Sequence, residues 1–135
     1  MKSILTKIAA VLALIIGAMA VFAGAQVLLG NDPGYYVINW VPVYNYTAGI
    51  LTVFITAILI WRGSKLAWFA AITTFSLHTL VMVILQTAYR DVVAVDSIRA
   101  MTIRMIVWAI ILVLMSVQSR KDKKAQLNRG EIVKL

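Results

Sequence analysis

The sequence contains no cysteine, and this absence excludes several kinds of function at once. Without thiols the chain cannot form disulfides, use a thiolate as a nucleophile, or hold a metal or an iron–sulfur cluster through cysteine. The absence leaves the compartment open, because proteins on either side of a bacterial membrane can lack cysteine. Any chemistry of this chain therefore rests on other side chains.

Charged residues are also scarce. They make up 13% of the 135 residues, whereas soluble domains contain about 25%. Hydrophobic residues account for 62% of the chain, and the mean hydropathy is +0.92. Both values place the chain among membrane proteins. The net charge of +8 then predicts a basic surface against anionic lipid, and we expect no nucleic-acid partner.

Long apolar runs are what the sequence does contain. About 20 residues cross the roughly 30 Å of hydrocarbon as a helix, and in lipid the backbone must satisfy its own hydrogen bonds. The predicted spans are residues 8–29, 43–61, 66–88 and 98–117. We therefore predict an all-α membrane protein, in which residues 1–117 form a four-transmembrane-helix bundle and residues 118–135 form a basic cytoplasmic tail.

Positive charges are distributed unequally between the two sides of this bundle. Of the 13 Lys and Arg residues, three (Arg90, Arg99 and Arg104) fall on the side opposite the termini, which leaves ten on the side of the termini. The positive-inside rule then places both termini in the cytoplasm. The sequence predicts a multi-pass protein of the inner membrane, whose tail contacts anionic headgroups at the cytoplasmic face.

The first span has an alternative interpretation as a secretory signal peptide. Residues 23–25 read Ala-Gly-Ala, and cleavage before Gln26 would leave three spans. Two features favour retention. The apolar run continues to Leu29, and small residues that can pack against a neighbouring helix share one face, namely Ala13, Gly17, Ala20 and Gly24.

The second span carries a comparable face. Asn45, Gly49, Thr52 and Thr56 follow one another at spacings of four, three and four residues. Such spacings put them on one side of a helix, where small and hydroxyl-bearing residues permit close approach and weak interhelical hydrogen bonds. We interpret this face as a packing surface.

His78 is the single histidine and lies near the middle of the third span. At 100° per residue it shares a stripe with Thr74, Met82, Gln86 and Tyr89, and an imidazole in hydrocarbon is costly, so this stripe should face the bundle interior. Three roles stay open for His78: a structural hydrogen bond, a proton relay or substrate contact, and a haem or metal ligand. We expect no metal, because one histidine supplies only one ligand.

Arg104 is the second candidate for a functional residue. It lies about 10 Å along the fourth helix from Ser97 and shares a face with Met101, Trp108 and Met115, which predicts that it points into the bundle. An arginine suits carboxylate or phosphate, because its fork can bond two oxygens. We predict an outer-half polar cluster that is either structural or ligand-binding, and its members are Arg104, Gln86, Tyr89, His78 and Gln26, with Asp32 or Asp91 as possible anionic partners.

Aromatic residues crowd the loop that precedes the second span. Tyr35, Tyr36 and Trp40 are predicted to form an outer loop surface. Tyr and Trp prefer the headgroup level of a membrane. The surface is therefore either an aromatic belt or a docking surface for a partner or a lipid-like ligand.

Three hypotheses for function follow from these features. The first is a non-enzymatic accessory or assembly subunit that packs against a larger membrane-protein partner or forms a homo-oligomer. The second is a binder or carrier of an anionic small molecule with an outward-facing polar pocket, and the third is a membrane haem or redox protein that uses His78. We favour the first, because so small a bundle leaves little room for a solute pathway unless it oligomerises. The sequence has no phosphate-binding glycine loop, no HExxH motif, no nucleophile elbow and no paired carboxylates in its spans, so we expect no cofactor and no enzymatic activity.

Overall fold

A computed structural model describes residues 3–134, with side chains placed through Glu131. Its helices are α1 (Ile4–Leu28), α2 (Val41–Arg62), α3 (Leu66–Thr87) and α4 (Val95–Lys134). No strand occurs within residues 3–134. All four helices are long and apolar enough to cross a membrane. The prediction of an all-helical chain with four candidate spans is therefore confirmed.

The connections between the helices are short, and they distinguish the two ends of the bundle. We call the end with residues 29–40 and 88–94 the loop end, and the end with the turn at residues 63–65 the terminal end. Gly63 makes that turn in the left-handed region, at φ +65°. The backbone N–H groups of Gly63 and Ser64 bond back to the carbonyls of Ile60 and Leu59, each at 3.0 Å. This arrangement closes α2 and starts α3 almost at once.

The helices α1 and α2 pack at backbone distance. A Cβ atom added at Gly49 would lie 2.7 Å from both the carbonyl oxygen of Gly17 and the amide nitrogen of Val21. At Gly24 it would lie 2.7 Å from the carbonyl oxygen of Pro42. The small face predicted on α1 is buried as a whole (Ala13, Gly17, Ala20 and Gly24).

A π-helical turn at Thr52–Thr56 interrupts the regular winding of α2. The Thr52 hydroxyl donates to the carbonyl of Ala48 at 2.7 Å, and Thr52 and Thr56 are both buried. A π turn inserts extra backbone into a helix and changes the direction in which the following residues face. The rotational register of α2 therefore changes beside its contact with α1.

Two apolar clusters fill the interior, one toward each end. Near the terminal end Trp108, Ile111 and Ile60 pack against small residues of α1 and α3. Near the loop end the cluster comprises Ile38, Val41, Val81, Leu85 and Met101. Large apolar side chains also cover the outside of the helices, as a bilayer would require. These features point to a small multi-pass membrane protein.

The fourth helix is longer than the apolar span predicted for it. It begins at Val95, three residues before the predicted start of the span, and it continues to Lys134 instead of ending near Val117. We call residues 118–134 the α4 extension. Every side chain from Arg120 to Glu131 is exposed. The segment predicted as a basic tail is thus a direct helical continuation of the bundle.

Candidate functional site

A layer of polar and aromatic side chains joins α2, α3 and α4 inside the bundle, and it includes Trp108 of the terminal-end cluster. Tyr44 and Asn45 come from the start of α2, His78 from the middle of α3, and Arg104 and Trp108 from α4. His78 is only 4% exposed and Arg104 only 6%. Both ionisable side chains therefore turn toward protein, as the costs of placing them in hydrocarbon require.

Arg104 is held by a neutral partner. Its Nη1 donates to the Oδ1 of Asn45 at 2.5 Å, which ties α4 to α2. Within residues 3–131 the single ion pair lies elsewhere: Arg99 meets Asp96 at 3.9 Å, with both side chains more than half exposed. The buried guanidinium therefore has a hydrogen bond but no carboxylate beside it in the described part of the chain.

His78 is held by the residue that precedes Asn45. The hydroxyl of Tyr44 and the Nδ1 of His78 form a hydrogen bond, and the tautomer of the imidazole decides which group donates. The two rings meet edge to face with centroids 5.8 Å apart, and Trp108 packs on His78 at 6.4 Å. The void beside His78 and Trp108 measures about 10 Å³, so little free space surrounds the imidazole.

A larger cavity opens beside Arg104 at the loop end. Its volume is about 60 Å³. The wall contains four side chains able to donate hydrogen bonds, which are Tyr35, Asn45, Ser97 and Arg104. The rest of the wall is small or apolar, including Ala23 of α1 and Ala100 of α4. Chemically, this is a small pocket with one fixed positive charge and several neutral donors.

The other members of the predicted polar cluster lie apart from Arg104. Gln86 is exposed. Gln26 accepts a hydrogen bond from Asn31 at 2.6 Å in the neighbouring loop, and Tyr89 packs edge-on against Trp40 at 6.1 Å. The structure thus joins Arg104 and His78 in one layer through α2, whereas Gln86, Gln26 and Tyr89 occupy other positions around the loop end.

The anionic residues considered as partners of Arg104 are also placed elsewhere. Asp32 is exposed and accepts the backbone N–H of Gly34 at 2.8 Å, within its own loop. Asp91 is exposed in the connection between α3 and α4. Neither carboxylate reaches the buried guanidinium, so the positive charge of Arg104 is not compensated by these two residues.

The loop-surface aromatics divide into three environments. Tyr35 is 37% exposed and forms part of the wall of the Arg104 cavity. Tyr36 is 62% exposed and faces away from the core. Trp40 is half-buried and packs between Tyr44 and Tyr89, at centroid distances of 6.4 and 6.1 Å. Trp40 therefore connects the loop to the polar layer.

The partners of the two buried ionisable groups were not identified from the sequence. Tyr44 belongs to an aromatic-rich segment, and Asn45 was interpreted as part of a packing face. The available signal was that Tyr44 and Asn45 both lie in the first turn of the predicted second span. That position indicates how deep in the membrane Tyr44 and Asn45 lie, but it does not tell which of the two residues faces which neighbouring helix.

No protein-family model matches this chain, and no match is found among curated proteins or solved structures. The class of protein is therefore defined by the fold alone: a small membrane protein with four candidate spanning helices and a buried polar layer.

Proposed function

We propose that the protein is a non-enzymatic accessory or assembly subunit of an inner-membrane complex, with both termini in the cytoplasm, and that the α4 extension docks a partner protein. The observation that carries this proposal is the exposed, basic helix that continues directly from the bundle. A bundle that only needed to anchor itself would not require so long a helix beyond its apolar part.

Geometry supports the availability of the α4 extension to a partner. At 1.5 Å per residue the extension is about 25 Å long. Its six Lys and Arg residues and two acidic residues give a net charge of 6 − 2 = +4. Because α4 is one unbroken helix from Val95 to Lys134, the extension continues the direction of the span, which would carry part of its charge beyond the headgroups. Its positive charges would then be able to pair with an acidic surface of a partner protein.

The interior supports a structural role for the bundle. The hydrogen bonds Arg104–Asn45 and Tyr44–His78 each connect two helices of the same chain. The void at the centre, about 10 Å³, is smaller than most solutes. These contacts favour a rigid platform for the extension over a pathway for a solute through the bundle.

Co-purification from native membranes tests the docking role. The wild type should recover a stoichiometric partner that dissociates at high salt, since charge pairing is screened by ions. A triple variant, Lys121→Glu with Lys123→Glu and Lys124→Glu, should lose that partner. The matched control, Lys→Arg at the same three positions, keeps the charge and should retain it.

Two results would contradict the proposal. One is a wild type that purifies alone, whether as a monomer or as a homo-oligomer. The other is equal recovery of the partner by the charge-reversed triple variant, provided that this variant keeps the wild-type topology. Topology is checked by cysteine labelling, as described in the Discussion.

A second candidate function is the binding of an anionic small molecule, which the position of Arg104 in the cavity wall favours. This pocket would lie at the outer side in the proposed orientation. Arg104 would provide the charge for recognition, and its substitution by glutamine should abolish stabilisation by the ligand in a thermal-shift assay. We propose no haem or redox role for His78, because the void beside its ring measures about 10 Å³, which is far too small for a porphyrin.

A further inference from the structure

We propose that the Arg104 cavity binds a single phosphate group, which enters at the loop end, where α1, α4 and the loop before α2 meet. This inference rests on the second candidate function, anion binding, and is independent of the docking role of the α4 extension. It names both the class of ligand and the route of entry.

The charge of Arg104 needs a compensating group. Arg104 is only 6% exposed, so its guanidinium loses most of its hydration, and a buried charge without an opposite charge costs several kcal/mol. Asn45 satisfies one N–H group through its Oδ1, whereas a guanidinium carries five. An anion in the adjacent cavity would accept further hydrogen bonds and supply the missing negative charge.

The donors around the cavity favour phosphate over carboxylate. They belong to three parts of the chain: Asn45 to α2, Ser97 and Arg104 to α4, and Tyr35 to the loop. Because the Oδ1 of Asn45 accepts from Arg104, its amide nitrogen is left to donate. No Asp or Glu occurs among the described residues of the wall. A tetrahedral phosphate can offer oxygens in several directions, whereas a carboxylate offers two oxygens in one plane.

The volume of the Arg104 cavity and the position of its opening restrict which ligands can enter. A volume of about 60 Å³ accommodates a few water molecules, which is room for one small oxyanion and not for a whole metabolite or lipid. The exposed residues of the wall are Ala23, Tyr35 and Ala100, so the opening lies at the loop end, where α1, α4 and the loop before α2 meet. The rest of a larger ligand would remain outside this opening. A phospholipid headgroup and free phosphate both present the required group.

The test uses the full-length protein in phosphatidylcholine nanodiscs and measures the unfolding temperature by thermal shift. Inorganic phosphate is titrated in one arm, and phosphatidic acid is included in the nanodisc in a second arm. Sodium acetate at the same ionic strength is the third arm. Wild type should be stabilised by phosphate or by phosphatidic acid and much less by acetate. Stabilisation by phosphate identifies a soluble source, and stabilisation by phosphatidic acid alone identifies a lipid.

Variants connect the effect to the cavity. Arg104→Gln should weaken the affinity about tenfold or more, because a charge-assisted hydrogen bond is lost. Arg99→Gln is the matched control: it removes an arginine from the same helix, exposed at the surface and paired with Asp96, and should bind as wild type. Tyr35→Phe and Ser97→Ala each remove one donor and leave the Arg104–Asn45 hydrogen bond in place, so each should weaken binding by several-fold. If phosphatidic acid is the ligand, Ala100→Leu should narrow the opening and reduce its effect.

Three outcomes overturn the proposal. The first is a wild type that neither phosphate nor phosphatidic acid stabilises. The second is wild-type binding by both Tyr35→Phe and Ser97→Ala, which decides the matter even if Arg104→Gln does not fold. The third is stabilisation by acetate equal to that by phosphate, which would exclude phosphate as the specific ligand while leaving the broader anion-binding function in place.

Discussion

At the scale of single residues, Tyr44 and Asn45 form the junction of the bundle. They are consecutive on α2, yet each receives a buried polar side chain from a different helix. Tyr44 bonds His78 of α3, and Asn45 bonds Arg104 of α4. Because consecutive helical residues point about 100° apart, one turn of α2 can reach two neighbours. The first turns of α2 thereby link three helices.

Removing the side-chain amide of Asn45 should destabilise the fold, because the buried guanidinium of Arg104 loses its hydrogen-bond acceptor. We expect Asn45→Leu to lower the free energy of unfolding by about 2 kcal/mol, because a buried charged donor is left without its partner. Denaturant unfolding in detergent micelles measures the change. The matched control is Gln86→Leu, which replaces an exposed amide and should change stability little. Equal stability of the two variants would show that Asn45 does not stabilise the guanidinium.

Removing one hydroxyl should weaken the contact between α2 and α3. Tyr44→Phe keeps the ring that packs on His78 but deletes the hydrogen bond to its Nδ1. We expect a loss of about 1 kcal/mol in the free energy of unfolding, the usual net value of such a bond. Tyr36→Phe, at a side chain that is 62% exposed, serves as the control in the same denaturation experiment. A Tyr44→Phe protein as stable as this control would mean that the hydrogen bond contributes nothing.

At the scale of elements, the contact between α1 and α2 depends on glycine. At Gly24 and Gly49 the backbones of α1 and α2 approach each other closely, and at Gly17 the backbone of α1 packs against the side chains of Thr52 and Val53. In lipid such packing is a main source of helix association, since apolar burial alone does not distinguish a helix surface from the acyl chains. The π turn at Thr52–Thr56 shows that α2 departs from regular winding soon after its close contact at Gly49.

A single methyl group in this contact should be costly. Gly49→Ala places a Cβ atom 2.7 Å from backbone atoms of Gly17 and Val21, so the helices must move apart, and overpacking of this kind costs about 2 kcal/mol. Gly130→Ala is the control, because nothing lies within 4 Å of its Cβ position. It should stabilise the α4 extension by about 0.5 kcal/mol through helix propensity. Thermal unfolding compares the two variants, and a Gly49→Ala protein as stable as wild type would contradict the close packing.

At the scale of the whole molecule, the arrangement of charge predicts how the bundle sits in a membrane. The terminal end carries the basic turn and the α4 extension, and the loop end carries most of the acidic residues. Under the positive-inside rule we expect the terminal end to face the cytoplasm. The proposed orientation would put the Arg104 cavity at the outer side and the α4 extension inside.

Single cysteines test this orientation directly, because the chain has none of its own. Asp91→Cys, at the loop end, should react with a membrane-impermeant maleimide in intact cells. Ser64→Cys, in the turn at the terminal end, should react only after the cells are permeabilised. The cysteine-free parent provides the background. If Ser64→Cys reacted with the maleimide in intact cells and Asp91→Cys did not, the topology would be the opposite of the one proposed.

The packing of α1 also bears on the signal-peptide alternative. Ala9, Ala13 and Ile16 of α1 lie in the buried cluster at the terminal end, together with residues of the other helices. Loss of residues 1–25 would uncover that cluster to lipid. We expect mass spectrometry of the intact protein, purified from membranes, to give the mass of a chain that retains the first span. A mature chain that starts at Gln26 would refute four spans.

Local pattern was enough to predict the helices and most of their inward faces. The small face of α1, the polar face of α2, and Arg104 and His78 are all buried, or half-buried in the case of Asn45, in the structure. Such faces follow from the helical period, which can be read from one segment of the sequence without knowledge of the others. Gln86 shows the limit, because it lies on the same stripe as His78 and is exposed near the end of α3.

The sequence by itself thus determined four apolar helices, their spacing and the residues too polar to meet lipid, because each is a property of one segment and its solvent. Tertiary structure alone decided which side chains those residues meet, since this depends on how far each helix is shifted and rotated against its neighbours. The glycine contact and the π turn of α2 influence that offset, and the offset brings Asn45 to Arg104 and Tyr44 to His78. The length of α4 was missed for a related reason: hydropathy marks where lipid contact ends, whereas the backbone continues as a helix beyond that point.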